Sequence, residues 1–193
     1  QAQAGVFYSV ERLDVAGSAD VSTGFPDPAG ITLKTSDVEA MLAAPGQKIT
    51  IPIKVTGRLD PKYLALRSTL TQPALPQGTV LGASTFDFVQ VAPSGTPDAQ
   101  MCATAPPTTY NPVVVAANQG VRTAAQYLCL TITYTPNASA TNAQNGRLDS
   151  KVDVQVKHRI DASTLGDAAT DDDDWHGFVQ GDVSLLWWTH SSV

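Results

Sequence analysis

The sequence predicts an all-β domain: a jelly-roll-like two-sheet sandwich with one or two short helices. Three observations predict it. Apolar residues recur at every second position in several separate runs, the spacing of strands with one dry and one wet face. Turn signals built from Gly, Pro, Asn and Asp, such as Pro26-Asp27-Pro28, Pro93-Ser94-Gly95, Pro106-Pro107 and Asn145-Gly146, punctuate those runs. Helix-spaced apolar stripes are scarce, and 193 residues suit a single large sandwich.

The elements follow in chain order. Gly5-Val6-Phe7-Tyr8-Ser9-Val10 is uncharged, aromatic and β-prone, with Val6, Tyr8 and Val10 on one face and Phe7 and Ser9 on the other. Leu13, Val15 and Val21 extend that tendency. Ser36, with Glu39 three residues later, forms a capping box and predicts one or two helical turns to Leu42. Ile49, Ile51, Ile53 and Val55 alternate as a half-buried strand. Pro52 lacks the N–H that a ladder needs, so this strand is expected at an edge or with a bulge. Leu64, Leu66 and Leu70 are expected to continue it as a meander. Phe86-Asp87-Phe88 alternates, and Val113-Val114-Val115 is wholly apolar. Leu128, Leu130, Ile132 and Tyr134 share a face, with Cys129 and Thr131 opposite. Val152, Val154 and Val156 alternate with Asp153, Gln155 and Lys157. Ser163-Thr164-Leu165 begins a possible second helix. Gln180-Gly181-Asp182 reads as a turn feeding a last strand, with Val183, Leu185 and Trp187 on one face and Ser184, Leu186 and Trp188 on the other. Three segments read as loops: 92–105, 137–145 and 164–174.

Charge narrows the function classes. The chain carries 12 Lys and Arg against 18 Asp and Glu, a formal charge of -6. That balance speaks against nucleic-acid binding, which needs cations along phosphates, and against docking on anionic lipid. No apolar run approaches the length of a spanning helix. Gln1, followed by the small residues Ala2 and Ala4, reads as a mature terminus left by signal-peptide cleavage, so a secreted chain is expected. In that setting Cys102 and Cys129 are expected to form a disulfide, the alternative being two buried thiols. Neither has a CxxC partner or a His at metal spacing, so a zinc site is not expected.

Candidate chemistry is sparse. Asp171, Asp172, Asp173 and Asp174, with Asp167 upstream, are the densest charge. They read as a solvated acidic loop, with a calcium site as the alternative reading. The spacing is not that of an EF-hand. His158, His176 and His190 form no HExxH or close pair and read as surface histidines. No nucleophile-elbow, P-loop or dinucleotide motif occurs, so neither an enzyme nor an organic cofactor is expected. Asn137-Ala138-Ser139 is a formal glycosylation sequon.

Two stretches carry a family resemblance. One is Gly177 to His190, a Gln-Gly-Asp followed by the strand Val183-Ser184-Leu185-Leu186-Trp187-Trp188. The other runs from Ala44-Pro45-Gly46-Gln47 through Ile49–Val55, the break Gly57-Arg58-Leu59-Asp60, and Tyr63–Ser68. Together they resemble the camelysin/TasA family of secreted bacterial matrix proteins, with Gln47 where that family prefers Asp. The resemblance implies a structural subunit of an extracellular filament or biofilm matrix, without cofactor chemistry. It implies self-assembly, with other matrix components as further partners, and a donor strand that inserts into the next subunit. Residues 1–16 would then be the donor segment, with Val6, Phe7, Tyr8 and Val10 as its strand, and 17–193 a single sandwich domain. The alternative for this segment is a first strand in the chain's own sheet. The alternative function is a monomeric secreted module binding carbohydrate or protein, with Trp187 and Trp188 as its aromatic platform.

Overall fold

Period-two alternation builds the centre of the molecule. The run from Ile49 to Val55 becomes a long strand with Ile51, Ile53, Val55 and Leu59 turned into the core. The computed structural model describes residues 6–15, 20–22, 31–33, 35–43, 46–60, 64–70, 81–116, 121–136, 146–156 and 179–188. Its elements are β1 (Val6–Arg12), β2 (Asp20–Ser22), β3 (Ile31–Leu33), α1 (Thr35–Leu42), β4 (Lys48–Leu59), β5 (Leu64–Leu70) and β6 (Thr85–Val91). They continue with α2 (Met101–Thr104), β7 (Pro107–Thr108), β8 (Val113–Val115), β9 (Arg122–Thr133), β10 (Gly146–Val156) and β11 (Val179–Trp188).

The strands form two sheets, so the described residues adopt the expected all-β two-sheet sandwich, with two short helices among them. One sheet has the order β2-β1-β4-β9-β6-β7 and the other β3-β11-β10-β5-β8. Pairings are antiparallel except β3 with β11. Between the sheets lies one main apolar core, including Tyr8, Val10, Ile51, Ile53, Leu59, Leu66, Leu128, Leu130 and Ile132. The faces assigned to β9 hold: Leu128, Leu130 and Ile132 are buried in this core. The chain changes sheet repeatedly, as in a jelly roll. Leu59 and Leu64 lie at one end of the sandwich, where β4 hands over to β5. Because Thr133 pairs with Lys48 and Val156 with Leu64, the passage from β9 to β10 is made at the other end.

Four local expectations are corrected. The first concerns β5, which does not continue a meander from β4. Both edges of β4 are taken, by β1 and β9, so β5 stacks over its face in the opposite sheet. Pro52 is the second. It lies in a central strand, but at the point where β1 runs out: the last paired residues are Arg12 and Ile53. Its carbonyl accepts a hydrogen bond from Leu13 N at 2.9 Å. Both main-chain groups of a residue in an antiparallel strand point to the same side. The missing N–H therefore faces the end of β1, and the ladder to β9 loses nothing.

The third correction is that Gln180-Gly181-Asp182 is not a turn. These residues lie inside β11, opposite Asp153, Val152 and Lys151. A ladder needs only main-chain groups, which glycine and polar residues supply as well as apolar ones. The irregularity comes later: Leu148 pairs with Leu186 and Asp149 with Ser184, which leaves Leu185 without an opposite residue. The single alternation expected from Val183 to Trp188 is interrupted there. Last, α1 starts at Thr35, so Ser36 lies within its first turn and is not its cap. Val38 and Met41, three residues apart on one face, are its buried residues.

Gly46 makes the turn before β4. Its φ of 79° is left-handed, which favours glycine. Around it, Gly46 N donates to the Tyr134 carbonyl at 3.0 Å and Tyr134 N to the Gln47 carbonyl at 2.8 Å. The start of β4 is thereby fixed against the end of β9.

Candidate functional site

β1 lies in the chain's own sheet, between β2 and β4. Its register runs from Val6 opposite Leu59 to Arg12 opposite Ile53, and Tyr8 is opposite Ser22 on the other side. Alternation places Tyr8 and Val10 inward. Both are buried, at 0% and 1% exposure. Phe7 and Ser9, on the outer face, are half-buried. The Arg58 guanidinium sits 5.4 Å from the centre of the Phe7 ring, a cation–π contact on that outer face.

Three residues outside β1 fit it closely. Opposite Tyr8 is Gly57. A Cβ at Gly57 would come within 2.5 Å of Leu66 Cδ2 and 3.0 Å of Val114 and Val115, so the opposite sheet packs directly on this backbone. Tyr8 is thus the large partner of a position that must stay small. Its hydroxyl reaches across the sandwich and shares a buried hydrogen bond of 2.8 Å with Ser68 Oγ of β5. The third is Asp37 in α1. Arg12, only 6% exposed, donates from Nη1 to Asp37 Oδ2 at 2.7 Å and from Nε to Asp14 Oδ1 at 2.5 Å. Burial alone would lower the pKa of this guanidinium, but the hydrogen bonds to Asp14 and Asp37 and their charges raise it on balance.

Just past β1, Leu13 enters a second, smaller apolar cluster with Val91, Met101, Cys129 and Tyr127. This cluster lies on the outer face of the first sheet. The segment from 92 to 105, expected to be a loop, contains α2 and closes over it. Cys102 and Cys129 form a disulfide with Cα atoms 5.8 Å apart and a sequence separation of 27. Cys129 is therefore buried although it lies on the face away from the main core. Unreduced intact mass is expected to show the loss of two hydrogens, and removing the bridge is expected to cost about 3–4 kcal/mol in the chain-entropy picture. Two thiols that alkylate freely in the native, unreduced protein would contradict the bridge.

No family model matches the chain, and no curated protein matches it. Among solved structures it is similar to the CooA pilin subunit from enterotoxigenic Escherichia coli. The TM-score is 0.34 and the identity 12%, over 95% of this chain and 99% of that one. A likeness that distant carries no argument about function.

The remaining candidates fall elsewhere. Trp187 and Trp188 are in β11, at the register of Arg147 and Gly146. Asp171, Asp172, Asp173 and Asp174 lie outside the described residues, as do His158, His176, His190, Gln1, Ser163 and Asn137. Among the described residues no group of His, Cys, Asp or Glu is placed to hold a metal ion, and no helix is long and apolar enough to cross a membrane.

Sequence reasoning identified the strand but missed Arg12, Gly57, Ser68 and Asp37. A signal was present for the first of these. Arg12 continues the parity of Tyr8 and Val10, so a charge falls on the inward face. Such a group is retained only when it is paired.

Proposed function

We propose that this chain is the structural subunit of an extracellular filament or matrix, joined to its neighbour by exchange of β1. It acts as a building element without catalysis or cofactor. The observation that carries the reading is the seating of β1. Tyr8 and Val10 fill a core groove whose walls belong to later segments: β4, Ser68 of β5 and Asp37 of α1. A second copy presents the same strand and the same groove, so every contact made within one chain can be remade between two. An exchange from one copy to the next need not close on itself, and an open series of such exchanges is a filament.

The sheet edges support insertion over simple edge pairing. At one end of each sheet the outermost strand is short: β7 has two residues and β8 three. One of them, β7, begins with Pro107. Short, proline-bearing edges are poor templates for adding a strand. β1 itself occupies a ladder of seven residues along β4, from Leu59 to Ile53. The resemblance of the Ala44–Ser68 and Gly177–His190 stretches to camelysin/TasA-type matrix proteins points the same way.

Negative-stain electron microscopy tests the reading. Purified full-length protein is expected to form filaments, and protein lacking residues 1–10 is expected not to extend them. A synthetic peptide of residues 1–12 added to the truncated protein should raise its melting temperature by mass action. Filaments of normal length from truncated protein would sink the proposal, as would full-length protein that stays monomeric at every concentration and pH tried.

A further inference from the structure

Main-chain hydrogen bonds alone do not fix where a strand docks. A slip of two residues keeps the same face inward and the same ladder pattern. The groove along β4 carries features that forbid the slip. Its inward positions are Ile53, Val55, Gly57 and Leu59, and Gly57 is the one that lacks a side chain. In the observed register the largest inward residue of β1, Tyr8, meets that position. A slip in either direction would set the phenol against Val55 or Leu59, both buried, and place a valine opposite Gly57. It would also carry the tyrosine hydroxyl away from Ser68 Oγ. Arg12 adds a second reading point four residues on. A two-residue slip moves it about 7 Å along the groove, well beyond the 2.7 Å contact with Asp37 Oδ2.

We propose that β4, Ser68 and Asp37 form a strand-reading site whose occupant in the assembled state is Val6–Arg12 of a second copy of this chain. Tyrosine is recognised at Gly57 and Ser68, and arginine at Asp37. The inference rests on the strand-exchange reading and deepens it by naming the acceptor wall and the residues that choose its partner. The pattern Val-x-Tyr-x-Val-x-Arg occurs once in the chain, at Val6–Arg12, so the site selects one segment and one register. Asp14 travels with the donor strand and Asp37 stays with the acceptor, so Asp14 orients the guanidinium within the donor and the Arg12–Asp37 ion pair joins the two copies where the strand leaves the groove.

Cysteine mapping on full-length protein tests this. Ser9 pairs with Thr56 on the outer face, and such a hydrogen-bonded antiparallel pair has Cα atoms about 5.5 Å apart, inside the range a disulfide spans. Protein carrying Ser9→Cys is mixed with protein carrying Thr56→Cys, Lys54→Cys or Arg58→Cys, allowed to assemble under mild oxidant, and mapped by mass spectrometry. The expected result is filaments in which the 9–56 interchain link exceeds the 9–54 and 9–58 links by about tenfold or more, because a two-residue slip is excluded. Adding Tyr8→Val to the donor should reduce that preference several-fold, leaving the part that Arg12 enforces at Asp37. Ser68→Ala in the acceptor hardly changes core volume, and should weaken the preference several-fold even if Tyr8→Val folds poorly. Filaments with equal links at 54, 56 and 58, or an unchanged preference in both variants, would overturn the strand-reading site and leave the filament reading standing. Protein that forms neither filaments nor interchain links would overturn both.

Discussion

Replacing Tyr8 by aspartate is expected to abolish filament extension and to lower the melting temperature sharply. Tyr8 is fully buried and its hydroxyl is bonded to Ser68. Truncating a buried aromatic costs about 3–5 kcal/mol, and an unpaired carboxylate in the same place adds several more. Whole domains are stable by only about 5–15 kcal/mol, so the variant strand should fail to dock in its own chain or in a neighbour. Tyr8→Phe separates the two terms: it keeps the ring and loses one hydrogen bond, for about 1 kcal/mol. A mixing experiment adds a sharper reading. A Tyr8→Asp chain keeps its groove but has no usable strand, so it should accept one neighbour and donate to none, shortening filaments of the normal protein in proportion to the amount added. Thermal melts and filament lengths measure both effects. A Tyr8→Asp protein that melts with the unaltered one would show that β1 contributes little to the fold.

Arg12→Ala is expected to have the next largest effect. Removing one member of a buried ion pair typically costs about 3–5 kcal/mol, because the charge left behind loses its partner. Here two carboxylates are left, but Asp14 and Asp37 keep 25% and 20% of their side-chain surface. Water can reach them, and the lower end of that range, about 3 kcal/mol, is the expected loss. Arg12→Lys should recover only part of it, since an ammonium group cannot fork to two carboxylates as the guanidinium does. The folded-state pKa of Arg12 is raised. Its contribution is therefore complete below the ordinary arginine value and lost only above it, which leaves stability flat with pH from this group over the usual working range. Chemical denaturation of the two variants checks the ranking. Equal stability of Arg12→Ala and the unaltered protein would reduce the pair to an incidental contact.

Strands were legible in the sequence because the sandwich writes them there. A strand with one buried face must alternate, and the runs at Ile49–Val55, Leu128–Ile132 and Val152–Val156 do so. The seating of Tyr8 and Val10 on one face of β1 was legible for the same reason. Sheet membership was not, because alternation says which face is dry without saying what covers it. Nothing around Leu64 distinguishes a strand that pairs beside β4 from one that stacks over it. Gln180-Gly181-Asp182 misled because turn chemistry and strand pairing both accept glycine and polar residues. The fit around β1 depends on Gly57, Ser68 and Asp37, three residues of small or polar type that become informative only when sheet packing and α1 bring them against Tyr8 and Arg12.

The ladder between β1 and β4 has a mechanical consequence. β1 lies antiparallel along β4 from Val6 opposite Leu59 to Arg12 opposite Ile53. In a filament joined through this strand, tension enters where the chain continues past Arg12 and acts along the strand axis. All the rungs are then loaded together, in shear, and none can peel away ahead of the rest. The same bonds pulled at right angles would open one after another like a zip. A thread built this way resists stretching far better than its rung-by-rung energy suggests, and yields first to forces that lift the strand sideways.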